Sequence, residues 1–292
     1  AASVNGGLDK LYTGQSGWTV AATVMAIGFV IVSFIPFSFC KERVVENTSS
    51  DEKVPGLTES LKSLLVNKYW VLEVIFLFVL YFMMSTFFGG QYYYVQYVMG
   101  AESSYATIAN VIQMSQILLM LAVAPIMMKK IGKRATALIG MSVAVIGFFL
   151  TAVAGSNIGL VIVSNAIKGA GFGLGAATMW GLLQDSITYG QWLTNVKATG
   201  MGNAASSFTM KVGSGLGTAA LGWILASGGF DADPGSASAA AAMTWAYIWV
   251  PVITCAIGVI CLFLFDLDKK YDKIVADLEA GKWKGTSKYS NL

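Results

Sequence analysis

Histidine is absent from the 292 residues and cysteine is scarce, at three. Without an imidazole, Ser-His-Asp chemistry, papain-like Cys-His pairs and His-bearing zinc sites are excluded. Cys40, Cys255 and Cys261 suggest neither a disulfide framework nor a CxxC metal site. Charge is thin too: 12% of residues are Asp, Glu, Lys or Arg, against about 25% in soluble globular domains. With 55% hydrophobic residues and a mean hydropathy of +0.64, a soluble enzyme is the wrong class. The net charge of +3 says little about partners, because its distribution among connections carries the information.

What is present is apolar sequence in long runs. Seven blocks, Gly17–Phe39, Val71–Val95, Ala106–Met128, Ala135–Ala154, Ile158–Gly181, Met201–Ala226 and Ala239–Phe265, are each long enough to cross a membrane. At ~1.5 Å per residue about 20 residues span a ~30 Å hydrocarbon core. The pattern predicts an all-α, multi-pass membrane protein with seven transmembrane helices. Outside the membrane, Lys41, Arg43, Lys53, Lys62 and Lys68, then Lys129, Lys130, Lys133 and Arg134, then Lys197, then Lys269, Lys270, Lys273, Lys282, Lys284 and Lys288 fall on alternate connections. The opposite connections, around Glu102, Gly155-Ser156-Asn157 and Asp231–Asp233, carry none, and the N-terminal stretch carries only Lys10. The positive-inside rule then places the N-terminus outside and the C-terminus in the cytoplasm.

The opening Ala1-Ala2-Ser3-Val4 has no basic n-region or cleavage pattern. An outside N-terminus without such a signal leads us to expect further helices upstream. Residues 1–40 then read as an extracytoplasmic loop and the last helix of a preceding half. Residues 41–70 read as a cytoplasmic connector, amphipathic from Leu57 to Leu65, 71–265 as a six-helix bundle, and 266–292 as a cytoplasmic tail. This is the layout left by a six-plus-six carrier without its first five helices.

Short motifs follow the same order: Lys41-Glu42-Arg43 closing the first span, Asn67-Lys68-Tyr69-Trp70 entering the second, and Tyr94-x-x-Tyr97-x-x-Gly100 leaving it. Trp180-x4-Asp185-x3-Tyr189-Gly190-Gln191-Trp192, Lys211 in the next helix and Tyr271-x-x-Ile274-x-x-x-Leu278 complete the set. On these motifs the chain resembles the glycoside–pentoside–hexuronide:cation symporters, the melibiose-carrier-like branch of the major facilitator superfamily, over nearly all its length. The resemblance implies helices six to twelve of a twelve-helix carrier in a bacterial inner (plasma) membrane. It also implies a sugar or glycoside substrate, a Na⁺ or H⁺ coupling cation held by the preceding half, no resident cofactor or metal, and no nucleic-acid partner. Thr188 stands where the family usually has a second Asp, Gln191 where it has Glu, and Lys197 is what remains of a basic pair. With these departures the resemblance implies a weakened or differently tuned cytoplasmic gate formed by Asp185, Tyr189 and Lys197.

Lys168 and Lys211 lie about ten residues inside their spans, ~15 Å deep at helical rise. A lysine at that depth costs about 2.5–3.5 kcal/mol to insert and is expected to face a bundle interior or wet cavity. Lys211 matches the family's cavity lysine, whose implied role is to donate hydrogen bonds near the sugar and couple to the cation site. Lys168, an intramembrane charge, reads equally as a structural ion-pair partner. Ser207 lies one helical turn before Lys211, with Ser206 beside it. It matches a sugar-contacting position; the other reading is a small residue for close packing.

Asn110, Gln113 and Gln116 offer amides to sugar hydroxyls or to neighbouring helices. Tyr92, Tyr93, Tyr94 and Tyr97 read chiefly as an interfacial aromatic belt, with Tyr94 retained as a sugar-stacking candidate. Trp180 is either a substrate contact or an interface anchor. The runs Gly169-x-Gly171-x-Gly173-x-Gly175 and Gly213-x-Gly215-x-Gly217 follow no strand, so they fail the dinucleotide fingerprint and read as close helix contacts. No Asp or Glu reaches midplane depth, Glu73 and Asp185 being near cytoplasmic ends. The resemblance implies that the coupling carboxylates and the acidic residues that grip the sugar belong to the other half.

The sequence thus reads as the C-terminal part of a cation-coupled sugar symporter working by alternating access, insufficient alone for accumulation. The alternatives are a free-standing seven-helix receptor or channel subunit, or a split-gene carrier half.

Overall fold

The computed structural model describes residues 15–39 and 56–284; among them there is no strand. Most of the loop expected before Trp18, the motif Lys41-Glu42-Arg43, the polar link around Asn47–Lys53 and the tail beyond Lys284 lie outside the described residues. The chain divides into two units, residues 1–54 and 55–292. In the first, α1 (Gln15–Phe39) is a single apolar helix whose described side chains, from Thr19 to Phe39, are all exposed. Its Thr23 and Ser33 hydroxyls turn back onto the Thr19 and Phe29 carbonyls at 2.8 Å, so they add little polarity to that surface.

The second unit begins with α2 (Leu57–Val66), the amphipathic segment, which buries Ser60, Ser63 and Leu64. Asn67 then starts α3 (Lys68–Tyr93): its Oδ1 accepts the Tyr69 and Trp70 backbone N–H groups, each at 3.1 Å, supplying the orphan donors of a helix start. There follow α4 (Tyr105–Leu118), α5 (Ala124–Ala154), α6 (Ile158–Thr194), α7 (Thr199–Ser227), α8 (Ala237–Thr244), α9 (Val250–Leu264) and α10 (Asp268–Glu279). The backbone of α5 breaks at Gly132, whose φ of 84° no β-carbon-bearing residue adopts comfortably, so one helix ends at Ile131 and the next begins at Lys133. Five-residue π-helical turns, Tyr94–Val98, Leu119–Val123 and Trp245–Trp249, continue α3, α4 and α8.

Among the described residues six helices are long and apolar enough to cross a membrane: Thr19–Phe39, Lys68–Val98, Glu102–Ile131, Lys133–Ala154, Ile158–Thr194 and Ala237–Leu264. Seven were expected. The segment Met201–Ala226 is helical, within the 29 residues of α7, but α7 is not among the six. Its glycines, serines and threonines, together with Lys211, dilute its apolar content.

Helix contacts follow the glycine runs. A β-carbon on Gly173 would sit 2.3 Å from the Gln116 carbonyl oxygen of α4, and one on Gly171 would sit 2.4 Å from the Gly140 oxygen of α5. The single run in α6 therefore lets two neighbours approach to backbone contact on opposite sides. On α7, Gly217 does the same against Phe82 of α3, at 2.4 Å. The Thr86 hydroxyl crosses that seam to the Gly217 carbonyl at 3.2 Å. Helix α9 packs on α3 and α5, closing a core that includes Phe76, Leu77, Phe87, Met141, Phe148, Leu182 and Tyr247.

Candidate functional site

Lys168 is fully buried in α6. Its Nζ donates to the Tyr247 hydroxyl at 3.2 Å and stands 5.1, 5.1 and 4.6 Å from the ring centres of Phe87, Phe148 and Tyr247. Among the described residues no carboxylate lies within ion-pair distance, so three aromatic faces and one hydroxyl are what surrounds its side-chain nitrogen. The Tyr247 hydroxyl donates to Asn165 Oδ1 at 3.2 Å, and Asn165 donates to the Ile108 carbonyl at 3.1 Å, tying α6 to α4. Tyr247 also stacks on Tyr94, ring centres 4.7 Å apart at 27°. Both rings sit in π-helical turns, a distortion concentrated at functional positions in helical proteins.

In front of this cage lies a cavity of about 220 Å³ bounded by Leu80, Tyr81 and Met84 of α3, Gln116 of α4, Met141 of α5, and Phe172, Gly175, Ala176 and Met179 of α6. Phe172 joins the two, its ring centre 5.9 Å from Phe87 and 6.1 Å from Phe148. The walls offer aromatic and apolar surface with one amide and one phenol. The volume falls below the ~300–1,000 Å³ of complete ligand pockets. It has the character of one wall of a site rather than a whole one.

Lys211 and Ser207 stand on the exposed face of α7, opposite the buried seam of Gly213 and Gly217. Ser206 is buried, its hydroxyl turned onto the Gly202 carbonyl at 2.8 Å. Near the far end of α6, Lys133 Nζ donates to both oxygens of Asp185, at 2.7 and 2.6 Å, and lies 5.3 Å from the Tyr271 ring centre. Arg134 donates from its side chain to the Leu262 carbonyl at 2.8 Å and to that of Phe263, placing a cation on the last carbonyls of α9. Its backbone N–H donates to Asp268 at 3.0 Å.

Residues 4–269 match the sequence profile of the MFS/sugar transport proteins. The chain belongs to that family. Within it, the chain is 35% identical over 269 residues to the isoprimeverose transporter of Lactiplantibacillus pentosus, covering 90% of this chain and 55% of that protein. It is 27% identical to the glucuronide carrier protein homolog of Escherichia coli K12, with 91% and 57% covered. It is 23% identical to the putative 2,3-dihydroxypropane-1-sulfonate exporter of the same organism, with 92% and 59% covered. The resemblance to the glycoside–pentoside–hexuronide symporters read from the motifs therefore holds. The chain spans little more than half the length of these relatives, which are transporters rather than enzymes.

Against this MFS/sugar transport fold the sequence-predicted residues separate into three places. Lys211, Ser207 and Gln113 are exposed on α7 and α4. Tyr94 and Lys168 lie inside the bundle, where Tyr94, 3% exposed, packs on Tyr247. Asp185, half-buried Tyr189, Trp180 (49% exposed) and exposed Lys197 lie along the last turns of α6 and just beyond it. Asp185 pairs with Lys133, which was not among the gate residues chosen from sequence. None of the expected substrate residues lines the cavity, although Gln116, weighed beside Gln113, does. Tyr81 was overlooked; a hydroxyl-bearing ring midway through an otherwise apolar run was the available signal.

Proposed function

We propose that this chain supplies one side of the translocation pathway of a cation-coupled sugar or glycoside symporter that works by alternating access. One observation carries the reading: α7 turns Lys211 and Ser207 away from the bundle that packs its glycine face. A deep lysine on an unpaired face requires a facing polar surface or water. The second half of the carrier would provide that surface, and the shallow cavity of Tyr81 and Gln116 would be completed across the same boundary. In this reading α7 is the seventh membrane helix; its 29 residues span about 43 Å.

The substrate would be gripped by hydroxyl-to-amide and hydroxyl-to-ammonium hydrogen bonds from Gln116, Gln113, Ser207 and Lys211, with Tyr81 against an apolar sugar face. The names of the isoprimeverose transporter and the glucuronide carrier homolog support a glycoside, and the resemblance to the glycoside–pentoside–hexuronide:cation symporters supports cation coupling, with Na⁺ or H⁺ bound in the other half. The Lys133–Asp185 pair, with Tyr189 and Lys197 beyond it, would lie at the cytoplasmic gate of an inner-membrane carrier whose C-terminus is cytoplasmic.

The test is thiol labelling of Ser207→Cys and Gln116→Cys in the chain co-expressed with the N-terminal portion of a family member. A transported glycoside should slow labelling at both positions. Labelling indifferent to every glycoside that the assembly transports would exclude these faces from the pathway.

A further inference from the structure

A second cavity lies at the opposite end of α6 from its Asn157 cap, where the helix end meets the start of α3 and the C-terminal helix α10. It measures about 440 Å³, and its walls include Lys68, Lys270, Lys273 and Lys284 together with Tyr189 and Trp192. The chain builds it deliberately. The Lys284 backbone N–H donates to the Trp192 carbonyl at 3.0 Å, folding the segment after α10 back over the end of α6. Lys284 Nζ then stands 5.5 Å from the Trp192 ring centre, while the Trp192 indole donates to Asp277 at 3.2 Å.

The charges in this cavity are unbalanced. Asp266 meets Lys270 at 2.7 Å and Lys68 at 3.8 Å, and accepts the Tyr69 hydroxyl at 2.5 Å, so that one carboxylate is shared by two lysines. Lys273 and Lys284 have no carboxylate within ion-pair distance among the described residues. Four ammonium groups line the cavity against two engaged carboxylates, Asp266 shared by Lys68 and Lys270 and Asp277 held by the Trp192 indole, and the surplus of positive charge favours a compact polyvalent anion. Lysines act as rotatable point charges suited to phosphate oxygens rather than to the planar fork of a carboxylate pair. The volume exceeds that of a bare ion, and the indole and phenol walls can cover the group that carries it.

We propose that this cavity binds a phosphate group, either the phosphodiester of an anionic lipid headgroup or a soluble phosphate compound, and that occupancy fastens α10 to the ends of α3 and α6. The site is separate from the sugar cavity and does not depend on the transport reading. Its position at the mouth of two membrane-length helices puts it level with lipid phosphates and open to solutes on the same side.

The experiment uses the purified 292-residue chain and follows thermal unfolding and tryptophan emission. One arm adds inorganic pyrophosphate in detergent, against sodium chloride at matched ionic strength. The other compares nanodiscs of phosphatidylglycerol with nanodiscs of phosphatidylcholine. A saturable rise in Tm in either arm is expected, with an emission change that disappears in Trp192→Phe. The Lys273→Gln chain should lose affinity by about tenfold, and Lys273→Gln/Lys284→Gln should lose the response, whereas Lys282→Gln, outside the walls, should keep it. Response to pyrophosphate identifies a soluble ligand, and response only to phosphatidylglycerol a lipid headgroup. No response in either arm, a response equal to that of chloride, or one undiminished in Lys273→Gln would overturn the proposal. Lys273 is exposed on α10, so its substitution leaves the packing intact.

Discussion

Lys168 donates to the Tyr247 hydroxyl at 3.2 Å while its ammonium lies 4.6 Å from the centre of the same ring. One tyrosine thus supplies the hydroxyl partner and one of the three aromatic faces around a fully buried lysine. Burying an ammonium without a counter-charge is costly, and replacing such a group by an apolar one of similar length is often neutral or stabilising. Lys168→Met should therefore keep or raise Tm in detergent. Tyr247→Phe, which strands the ammonium and leaves Asn165 Oδ1 without its donor, should destabilise by about 1–3 kcal/mol. A larger loss in Lys168→Met than in Tyr247→Phe would show that the cage stabilises the fold rather than burdening it.

Two glycines test the helix contacts. Gly173→Ala brings a β-carbon to 2.3 Å from a carbonyl oxygen of α4, so α4 and α6 must separate, at a cost of about 1–3 kcal/mol or more. Gly215→Ala meets nothing within 4 Å and gains helix propensity, worth roughly 0.5–1 kcal/mol. Opposite shifts in Tm are expected, and equal shifts would contradict backbone contact at Gly173.

The Lys133–Asp185 pair is asymmetric: the Asp185 side chain is 8% exposed and that of Lys133 36%. Removing only the lysine strands a carboxylate, so Lys133→Met should cost more stability than Asp185→Asn. A double-mutant cycle should give a coupling of about 0.5–3 kcal/mol. Additive single effects would mean that the pair does not act as a unit.

Much of this architecture was legible in the sequence, because membrane crossing is a property of runs of about 20 residues. The six crossing helices overlap six of the predicted blocks, although the one predicted to end at Gly181 runs on to Thr194 and takes in Asp185 and Tyr189, and α2 matches the amphipathic stretch after Leu57. The glycine runs were readable as contacts because only small residues permit backbone approach. What could not be read was helix rotation. Whether Tyr94 faces substrate or Tyr247 depends on a π turn with no sequence signature. That Asp185 finds Lys133 rather than Lys197 depends on the break at Gly132, which carries Lys133 toward α6. Gln116 and Gln113 are equivalent in sequence, and only packing sets one on the cavity wall.

Asp266 predicts a pH signature. Hydrogen bonds from Lys270 and Tyr69 hold its carboxyl well below the usual aspartate range. A carboxyl lowered in the folded state contributes stability that is fully present above its unfolded value of about 3.9 and is lost as pH falls through the folded value. The Tm difference between the wild-type chain and Asp266→Asn should therefore stay constant from pH 7 to about pH 5 and shrink only below about pH 4. A difference that vanishes already by pH 5 would show that the cluster does not hold Asp266 ionised.

The most direct measurement is glycoside accumulation in proteoliposomes under a sodium or proton gradient, using this chain alone and together with the N-terminal portion of the isoprimeverose transporter. The paired assembly should accumulate a glycoside, Lys211→Ala should lower that accumulation at least tenfold, and the 292-residue chain alone should accumulate none. Gradient-driven accumulation by the chain alone, or an assembly indifferent to Lys211→Ala, would contradict the assignment of this unit as one wall of a shared sugar pathway.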